Sequence, residues 1–268
     1  MRRRIGDMMK KKYIFFDIDG TLTNKETGEI IPSAQRTIKQ LQDNGHFVCI
    51  ATGRAYYKTK EFAKTIGIHH IVSNGGAAIT INDQMIENKP LNHDKAVALC
   101  EEAQMKGYGI LISPNDSIDV CMINDDFINQ VGFRQEPTRY FLQHQSYQDF
   151  LDFYKIYIAI PQEEENQLTL LNTLGHIRFV ESYLTYQHDE KEKGIERMIQ
   201  LVHGSLEDVV VFGDDYNDLV MFKEGWTSIA MGNACDELKA KATFVTKKNI
   251  DDGIQYACQH FGWISQKK

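Results

Sequence analysis

The chain has 268 residues, enough for one large domain or two smaller ones, and 42% of them are hydrophobic, which excludes a disordered chain. Its formal net charge of −7 argues against a nucleic-acid binder, whose surface is basic. No apolar run approaches the roughly 20 residues that cross a bilayer, so no membrane partner is expected. Cys49, Cys100, Cys121, Cys235 and Cys258 are widely spaced, odd in number and form no CxxC pair. They read as reduced thiols, mostly small core residues, of a cytoplasmic protein.

Residues 1–11 read as a basic tail, with Arg2, Arg3, Arg4, Lys10 and Lys11. The apolar stretch behind it is too short for a signal peptide, and Met8 or Met9 offers an alternative start. Tyr13 to Phe16 is a buried strand that ends in Asp17-Ile18-Asp19-Gly20-Thr21. A loop or hairpin over 22–31 leads to a helix opened by Pro32 and stopped by Gly45, with Ala34, Ile38 and Leu41 on one face. Phe47 to Ala51 is a second strand, ending in Thr52-Gly53-Arg54. A helix to about Ile66 and a third strand, Ile71 to Ser73, follow, the latter ending in Asn74-Gly75-Gly76-Ala77. This rhythm predicts a parallel sheet with helices on its faces.

Residues 78–91 alternate around Asn82-Asp83 as a β-hairpin does. From residue 92 the rhythm changes. Helices are expected over 93–106, 125–131, 146–153 and 162–174, and strands over 109–113, 119–123, 154–160 and 177–187. The aromatic residues of this stretch read as its core. At Glu192 the first rhythm returns. A helix from Gly194 to Val202 precedes a strand, Val209 to Phe212, which ends in Gly213-Asp214-Asp215-Tyr216-Asn217-Asp218. A short helix (219–223), a strand (228–231), a helix (235–242), a strand (244–246) and a final helix from Gly253 complete the chain. The expected fold is α/β: a doubly wound, mostly parallel, Rossmann-like sheet core made of residues 1–91 and 185–268, with an inserted α+β cap domain over 92–184.

The outer strands end in residues suited to one chemistry, at the edge where open α/β sheets bind ligands. Two carboxylates on one face, Asp17 and Asp19, repel each other; a raised pKa or a bound divalent cation relieves them. One can then attack as a nucleophile while the other serves as general acid. A solvated Asp-Gly turn is the plainer alternative. Asp17, Asp19 and Asp214 are hard oxygen donors of the kind Mg²⁺ takes. Thr52 and Gly53 at a helix start offer an anion seat. Lys193 supplies a positive charge, and Asn217 and Asp218 can orient a metal and its waters from behind. No GxxxxGK[ST], GxSxG, HExxH or GxGxxG competes.

Asp17-Ile18-Asp19-Gly20-Thr21, Thr52-Gly53-Arg54, Lys193-Gly194 and the run Gly213 to Asp218 resemble, in order, the four motifs of the haloacid dehalogenase-like hydrolases. Asn74-Gly75-Gly76-Ala77, Ala230-Met231-Gly232-Asn233-Ala234 and Asp252-Gly253 resemble the Cof-type branch of sugar-phosphatase-like members. The resemblance implies that Asp17 forms a phosphoaspartyl intermediate and that Asp19 protonates the leaving oxygen, then activates water. It implies Mg²⁺ on Asp17, the backbone carbonyl of Asp19, and Asp214, with Asp215 and Asp218 in support. Thr52, Gly53, Lys193, Asn217 and the amide of Ile18 would grip the phosphate. Arg54 and Asn74 are candidates for substrate contact, Arg54 reading equally as a surface-helix arginine. Lys191 and Lys193 both stand at the third motif, and the glycine that follows favours Lys193. Asp215 adjoins Asp214, which only the resemblance favours as ligand. The implied activity is hydrolysis of a small-molecule phosphate ester by a monomer or homodimer. A sugar phosphate is the first choice, and an ester such as FMN or pyridoxal phosphate the next. A phosphomutase and a non-catalytic sensor of a phosphorylated metabolite are the alternatives, the latter disfavoured by the Asp17 and Asp19 pair.

Overall fold

Strands made wholly of bulky apolar residues need cover on both faces, and helices supply it here. The computed structural model describes residues 10–265, so the expectations for Arg2 to Arg4 and for starts at Met8 or Met9 lie outside the described residues. Of the basic segment, Lys10 and Lys11 are described: Lys10 pairs with Asp208, as does the adjoining Lys12, and Lys11 lies over the Tyr13 ring.

The chain opens with β1 (Tyr13–Phe16), α1 (Pro32–Asp43), β2 (Phe47–Ala51), α2 (Tyr56–Ile66), β3 (Ile71–Ser73), β4 (Ala78–Ile81) and β5 (Gln84–Asn88). The inserted stretch holds α3 (His93–Met105), β6 (Ile110–Ser113), β7 (Asp119–Met122), α4 (Asp126–Val131), β8 (Arg139–Leu142), β9 (Lys155–Ile158), β10 (His176–Val180) and β11 (Tyr183–Tyr186). The chain then returns through α5 (Lys191–Leu201), β12 (Val209–Gly213), β13 (Thr227–Ala230), α6 (Asp236–Lys241), β14 (Phe244–Val245) and α7 (Gly253–His260).

The core sheet runs β14-β13-β12-β1-β2-β3-β4-β5, parallel from β14 to β3 with an antiparallel hairpin at the far edge. Ile14, Phe16, Val48, Ile50, Val210 and Phe212 face Ala34, Ile38 and Leu41 of α1 and Ile254 and Ala257 of α7. Phe15, Cys49 and Val211 face Ile195, Met198 and Ile199 of α5 and Leu238 of α6. β1 is therefore the centre of the sheet, flanked by β2 and β12 and sealed on both sides. This is the doubly wound α/β core expected from the sequence.

The second sheet runs β10-β11-β9-β6-β7-β8, antiparallel except for β7 and β8. Its side chains alternate as a sheet requires. Ile110, Ile112, Ile156 and Ile158 pack on Ala96, Leu99, Cys100 and Ala103 of α3. The opposite face of β9 carries Lys155 and Tyr157, paired with Ser113 and Leu111 of β6. The four buried cysteines are small core residues, and Cys235 is half-buried; all five are free. Among the described residues, no helix is long and apolar enough to cross a membrane.

Several elements differ from the sequence expectation. The stretch 162–174 forms a 3₁₀ segment only over Gln162–Gln167, because the buried carboxylate of Glu102 in α3 draws the next amides away from a helix. Glu102 accepts from the amides of Thr169 (2.7 Å) and Leu170 (2.9 Å) and from the Thr169 hydroxyl (2.8 Å). The stretch 146–153 is a single 3₁₀ turn, capped by Ser146 and Asp149, after which Phe150 and Phe153 turn into the core of this sheet. The short helix expected over 219–223 is a 3₁₀ segment, Tyr216–Met221. β8 went unread because its side chains Arg139, Phe141 and Leu142 are exposed and show no apolar face. The cap sheet also passes the 184/185 boundary, since Thr185 and Tyr186 of β11 pair with Tyr157 and Ile156.

Replacing Glu102 with Ala removes three hydrogen bonds made to a charged, buried carboxylate, which costs about 2 kcal/mol. Urea unfolding of Glu102→Ala against the parent checks this. Equal stability would mean that those amides find another partner.

Candidate active site

The site begins where β1 stops. The Asp17 amide still donates to Phe212 of β12 at 3.0 Å, so Asp17 sits in register at the centre of the sheet. The chain then turns tightly, with the Ile18 carbonyl accepting from the amides of Thr21, Leu22 and Thr23. Gly20 makes that turn at φ +80°, and a Cβ there would lie 2.1 Å from Oδ2 of Asp214. Glycine is thus required by both conformation and space. The Gly20 carbonyl is held by the side chain of Asn233, which gives the Gly232-Asn233 motif a structural role.

β12 ends beside it. Asp214 is buried and accepts from the Thr21 hydroxyl at 3.3 Å. Asp218, fully buried, accepts the amides of Asp214 (2.9 Å) and Asp215 (3.2 Å) on one oxygen. Its other oxygen accepts from Lys191 Nζ at 2.7 Å, and the same ammonium donates to Asp17 Oδ1 at 2.8 Å. Asp215 points outward to Lys25, whose ammonium also stands 3.7 Å from Asp214.

Carboxylate oxygens of Asp17, Asp214 and Asp218 lie within 4.8 Å of one another. These three anions face one buried ammonium. Burial, reinforced by Asp218, pushes the Asp17 carboxyl well above its ordinary range, while Lys191 opposes the shift. Burial and Asp218 likewise raise Asp214 to about 7, against the pull of Lys25. Burial would lower Lys191, but the charges of Asp17 and Asp218 outweigh it and hold the ammonium above its ordinary value. The uncompensated charge fits a hard divalent cation. Asp218 has committed its oxygens to Lys191 and two amides, so Asp17 and Asp214 are the donors with capacity to spare. Asp19 contributes no side chain to the cluster.

The third motif is corrected by this geometry. Lys193 is exposed and pairs with Glu190 on the surface, whereas Lys191 is 1% exposed and lies between the acids. On a helix, residues three or four apart share a face. Lys191, Gly194, Ile195, Met198 and Ile199 are the buried residues of α5, and Lys193 falls on the other side. Stepping four back from Ile195 would have selected Lys191. The glycine pair after β3 seats this helix. Gly75 (φ +62°) packs so closely on the chain that a Cβ would meet the His188 carbonyl at 1.8 Å, and its own carbonyl accepts the Glu190 amide at 2.8 Å.

Asp19 lies at the cleft mouth, half-exposed, where the Arg54 guanidinium grips it through two nitrogens, Nε at 2.9 Å. Arg54 therefore reaches a catalytic candidate directly. The Thr52 hydroxyl is buried and accepts the Arg54 amide at 3.1 Å. The helix after this motif starts only at Tyr56, and its first amides, of Tyr56 and Tyr57, donate to Asp116 at 3.2 and 3.0 Å. The helix N-terminus is thus filled by a carboxylate of the cap loop between β6 and β7. Asn74 belongs to the same knot: its amide nitrogen donates to Asp116 at 2.7 Å and to Asn88 at 3.0 Å, while the residue also lines the cleft. Asp116 was not read as a functional residue, because a lone Asp in a polar loop has no sequence signal.

Asp17, Asp19, Thr52, Gly53, Arg54 and Asn217 line a cleft of about 930 Å³, which the face of the cap sheet bearing Lys155 and Tyr157 closes from above. That volume suits a small metabolite. Lys191→Met strips two buried carboxylates of their partner and should lower stability by about 3 kcal/mol or more. Lys193→Met, on an exposed pair, should leave the unfolding midpoint unchanged. Parallel urea titrations decide, and the reverse order would restore Lys193 to the site.

A family model for haloacid dehalogenase-like hydrolases matches residues 14–258. A putative phosphatase, YkrA of Bacillus subtilis (strain 168), is 30% identical over 258 residues, covering 96% of this chain and 100% of its own length. The 5-amino-6-(5-phospho-D-ribitylamino)uracil phosphatase YwtE of the same organism is 27% identical over 278 residues, covering 91% and 96%. Among solved structures, the haloacid dehalogenase subclass IIB sugar phosphatase BT4131 superposes with a TM-score of 0.74 at 26% identity, over 95% of this chain and 100% of that one.

Proposed function

The chain belongs to the haloacid dehalogenase-like hydrolases and is a phosphatase, and from that premise we propose that it is a Mg²⁺-dependent phosphomonoesterase working through a phosphoaspartyl intermediate on a small cytoplasmic phosphate ester. The observation that carries this reading is Asp17. It is a buried carboxylate at the end of the central strand that lines the cleft beside Asp214, fixed through one oxygen by Lys191 and with no other side-chain hydrogen bond among the described residues.

Asp17 attacks phosphorus, and the bond from phosphorus to the ester oxygen breaks. Asp19 gives that oxygen its proton. Asp19 then takes a proton from water, the water oxygen attacks phosphorus, and Asp17 leaves with the electron pair of the acyl phosphate bond. Lys191 keeps the Asp17 carboxylate oriented and offsets charge in the floor. Arg54 holds Asp19 at the height of the leaving group. Thr52, Gly53, Asn217 and the amide of Ile18 surround the phosphoryl oxygens. Asp17 and Asp214, with the Asp19 carbonyl, would hold Mg²⁺, which when bound neutralises charge on the phosphoryl oxygens.

The substrate is a phosphorylated metabolite with a polar leaving group. Its support is the sugar-phosphate and ribityl-phosphate chemistry named for the relatives and the mixed polar and aromatic lining of the cleft, which includes Tyr57, Tyr157 and Tyr183.

The test is release of nitrophenol from para-nitrophenyl phosphate with Mg²⁺ and with EDTA, by the parent and by Asp17→Asn. Turnover should need the metal and should fall by roughly 10³-fold or more in the variant, whose shape is preserved but whose nucleophile is gone. Equal rates in parent and variant would remove Asp17 from the chemistry.

A further inference from the structure

The cap face of the cleft is built unlike its floor. Strand alternation turns Lys155 and Tyr157 of β9 toward the cleft, with Ser113 beside them on β6 and Thr185 on β11. The guanidinium carbon of Arg134, from the loop before β8, lies over the Tyr157 ring, 4.1 Å from its centroid. Lys58, from the core helix α2, closes the group from below.

The charges on this wall do not balance. Lys58 and Arg134 share a single carboxylate, Glu136. Lys155 has no ion-pair partner among the described residues, though it is half-buried. The one other acid nearby, Asp116, already accepts from the amides of Tyr56 and Tyr57 and from the side chains of Asn74 and Asn88. Two further polar atoms are buried without a hydrogen-bond partner: Nε of Arg134, whose side chain is only 8% exposed, and Oγ1 of Thr185, 2% exposed. A buried donor left unpaired costs about 1–3 kcal/mol, so a fold that keeps such groups at a cleft wall holds a place for an acceptor. Burial, together with Lys58, lowers the Lys155 ammonium to about 8, a cost that a bound anion would remove.

We propose that this wall is a second anion subsite, read by Lys155 and Arg134, and that the substrate is a phosphate ester whose leaving group carries a second acidic group, a carboxylate or another phosphate, at its far end. This rests on the phosphatase reading and narrows it to sugar-acid phosphates and bisphosphates. The phosphoryl group to be cleaved sits at the floor over Asp17, and the distal anion sits under the cap. Tyr57, Tyr157 and Tyr183 flank the carbon chain between them.

The test is a matched series of three to six carbons: alditol phosphates, the corresponding aldonate phosphates, and alditol α,ω-bisphosphates, with para-nitrophenyl phosphate as the reference ester. At one chain length or more, an anion-ended ester should exceed its alditol phosphate in kcat/KM by tenfold or more, and the better of the two anionic arms identifies the group. That preference should shrink as NaCl rises from 50 to 500 mM. It should fall at least tenfold in Lys155→Met and persist in Lys155→Arg. Alditol phosphates used as well as the anionic esters at every length would overturn the subsite, as would a preference that ignores salt or survives Lys155→Met. If Lys155→Met does not fold, the parent's preference and its salt dependence decide alone. Turnover of the aryl ester without any anionic preference removes only the subsite. No turnover of any ester removes the phosphatase reading with it.

Discussion

The buried ammonium of Lys191 is the contact on which the site depends. It joins three elements that are far apart in the chain: the end of β1 through Asp17, the end of β12 through Asp218, and the start of α5. Burying ions is costly, and the cost is recovered only when each lone pair and proton finds a partner. Asp218 meets that condition with the ammonium on one oxygen and two amides on the other. Asp17 and Asp214 are held more lightly: among the described residues the Asp17 side chain bonds only Lys191, and Asp214 takes the Thr21 hydroxyl with Lys25 at 3.7 Å. The fold therefore spends its best electrostatic pairing on a residue that cannot react, and leaves the reactive carboxylates under-coordinated. Pre-organisation of this kind is what electrostatic catalysis requires, because the groups need no rearrangement when charge develops.

Close packing enforces the same arrangement. Gly20 and Gly75 are the points where backbone approaches side chain or backbone too closely for a Cβ. The first admits the Asp214 carboxylate to the turn after β1. The second lets the segment 188–190 lie on the turn after β3, and that contact sets where α5 begins and hence where Lys191 points. Gly75 and the Gly232-Asn233 pair thus act one layer behind the cleft, while Asn74 lines it and also ties Asp116 and Asn88 together.

The core was legible because its signals are local. Apolar runs with no polar face mark buried strands, and the polar residues that end them mark the ligand edge. Asp17, Asp19, Thr52, Asp214 and Asn217 could be picked out in this way and do line or adjoin one cleft. The neighbouring glycine points to Lys193, although the helical period through Ile195, Met198 and Ile199 puts Lys191 on the buried face. Other features depend on partners far along the chain. The acidic stretch at 162–167 fails to extend as a helix because Glu102 captures the amides that follow it. Asp116 caps α2 from another sheet. Lys155 looks like an ordinary strand-end lysine until β6 and β11 are placed beside it.

The two walls of the cleft carry opposite charge, and this polarity bears on how a substrate enters. Asp17, Asp214 and Asp218 outnumber Lys191 and Lys25 at the floor, whereas Lys58 of α2, with Arg134 and Lys155 of the cap, outnumbers Glu136 and Asp116 at the upper wall. A monophosphate with a neutral tail can set its one anionic group against either the cations of the upper wall or the Mg²⁺ proposed for the floor, so its binding is divided between the two. An ester with an acid at each end meets no such conflict: one end satisfies the cap and leaves the other directed at Asp17. The cap contacts also reach the core, since Lys58 of α2 holds Glu136 and Asp116 holds the first amides of the same helix. An anion that engages Lys58, Arg134 and Lys155 together would bind groups from both sheets at once. Binding energy from the remote end of the substrate would then be used to fix the reacting end, which is how contacts distant from the scissile bond raise the rate rather than merely the affinity.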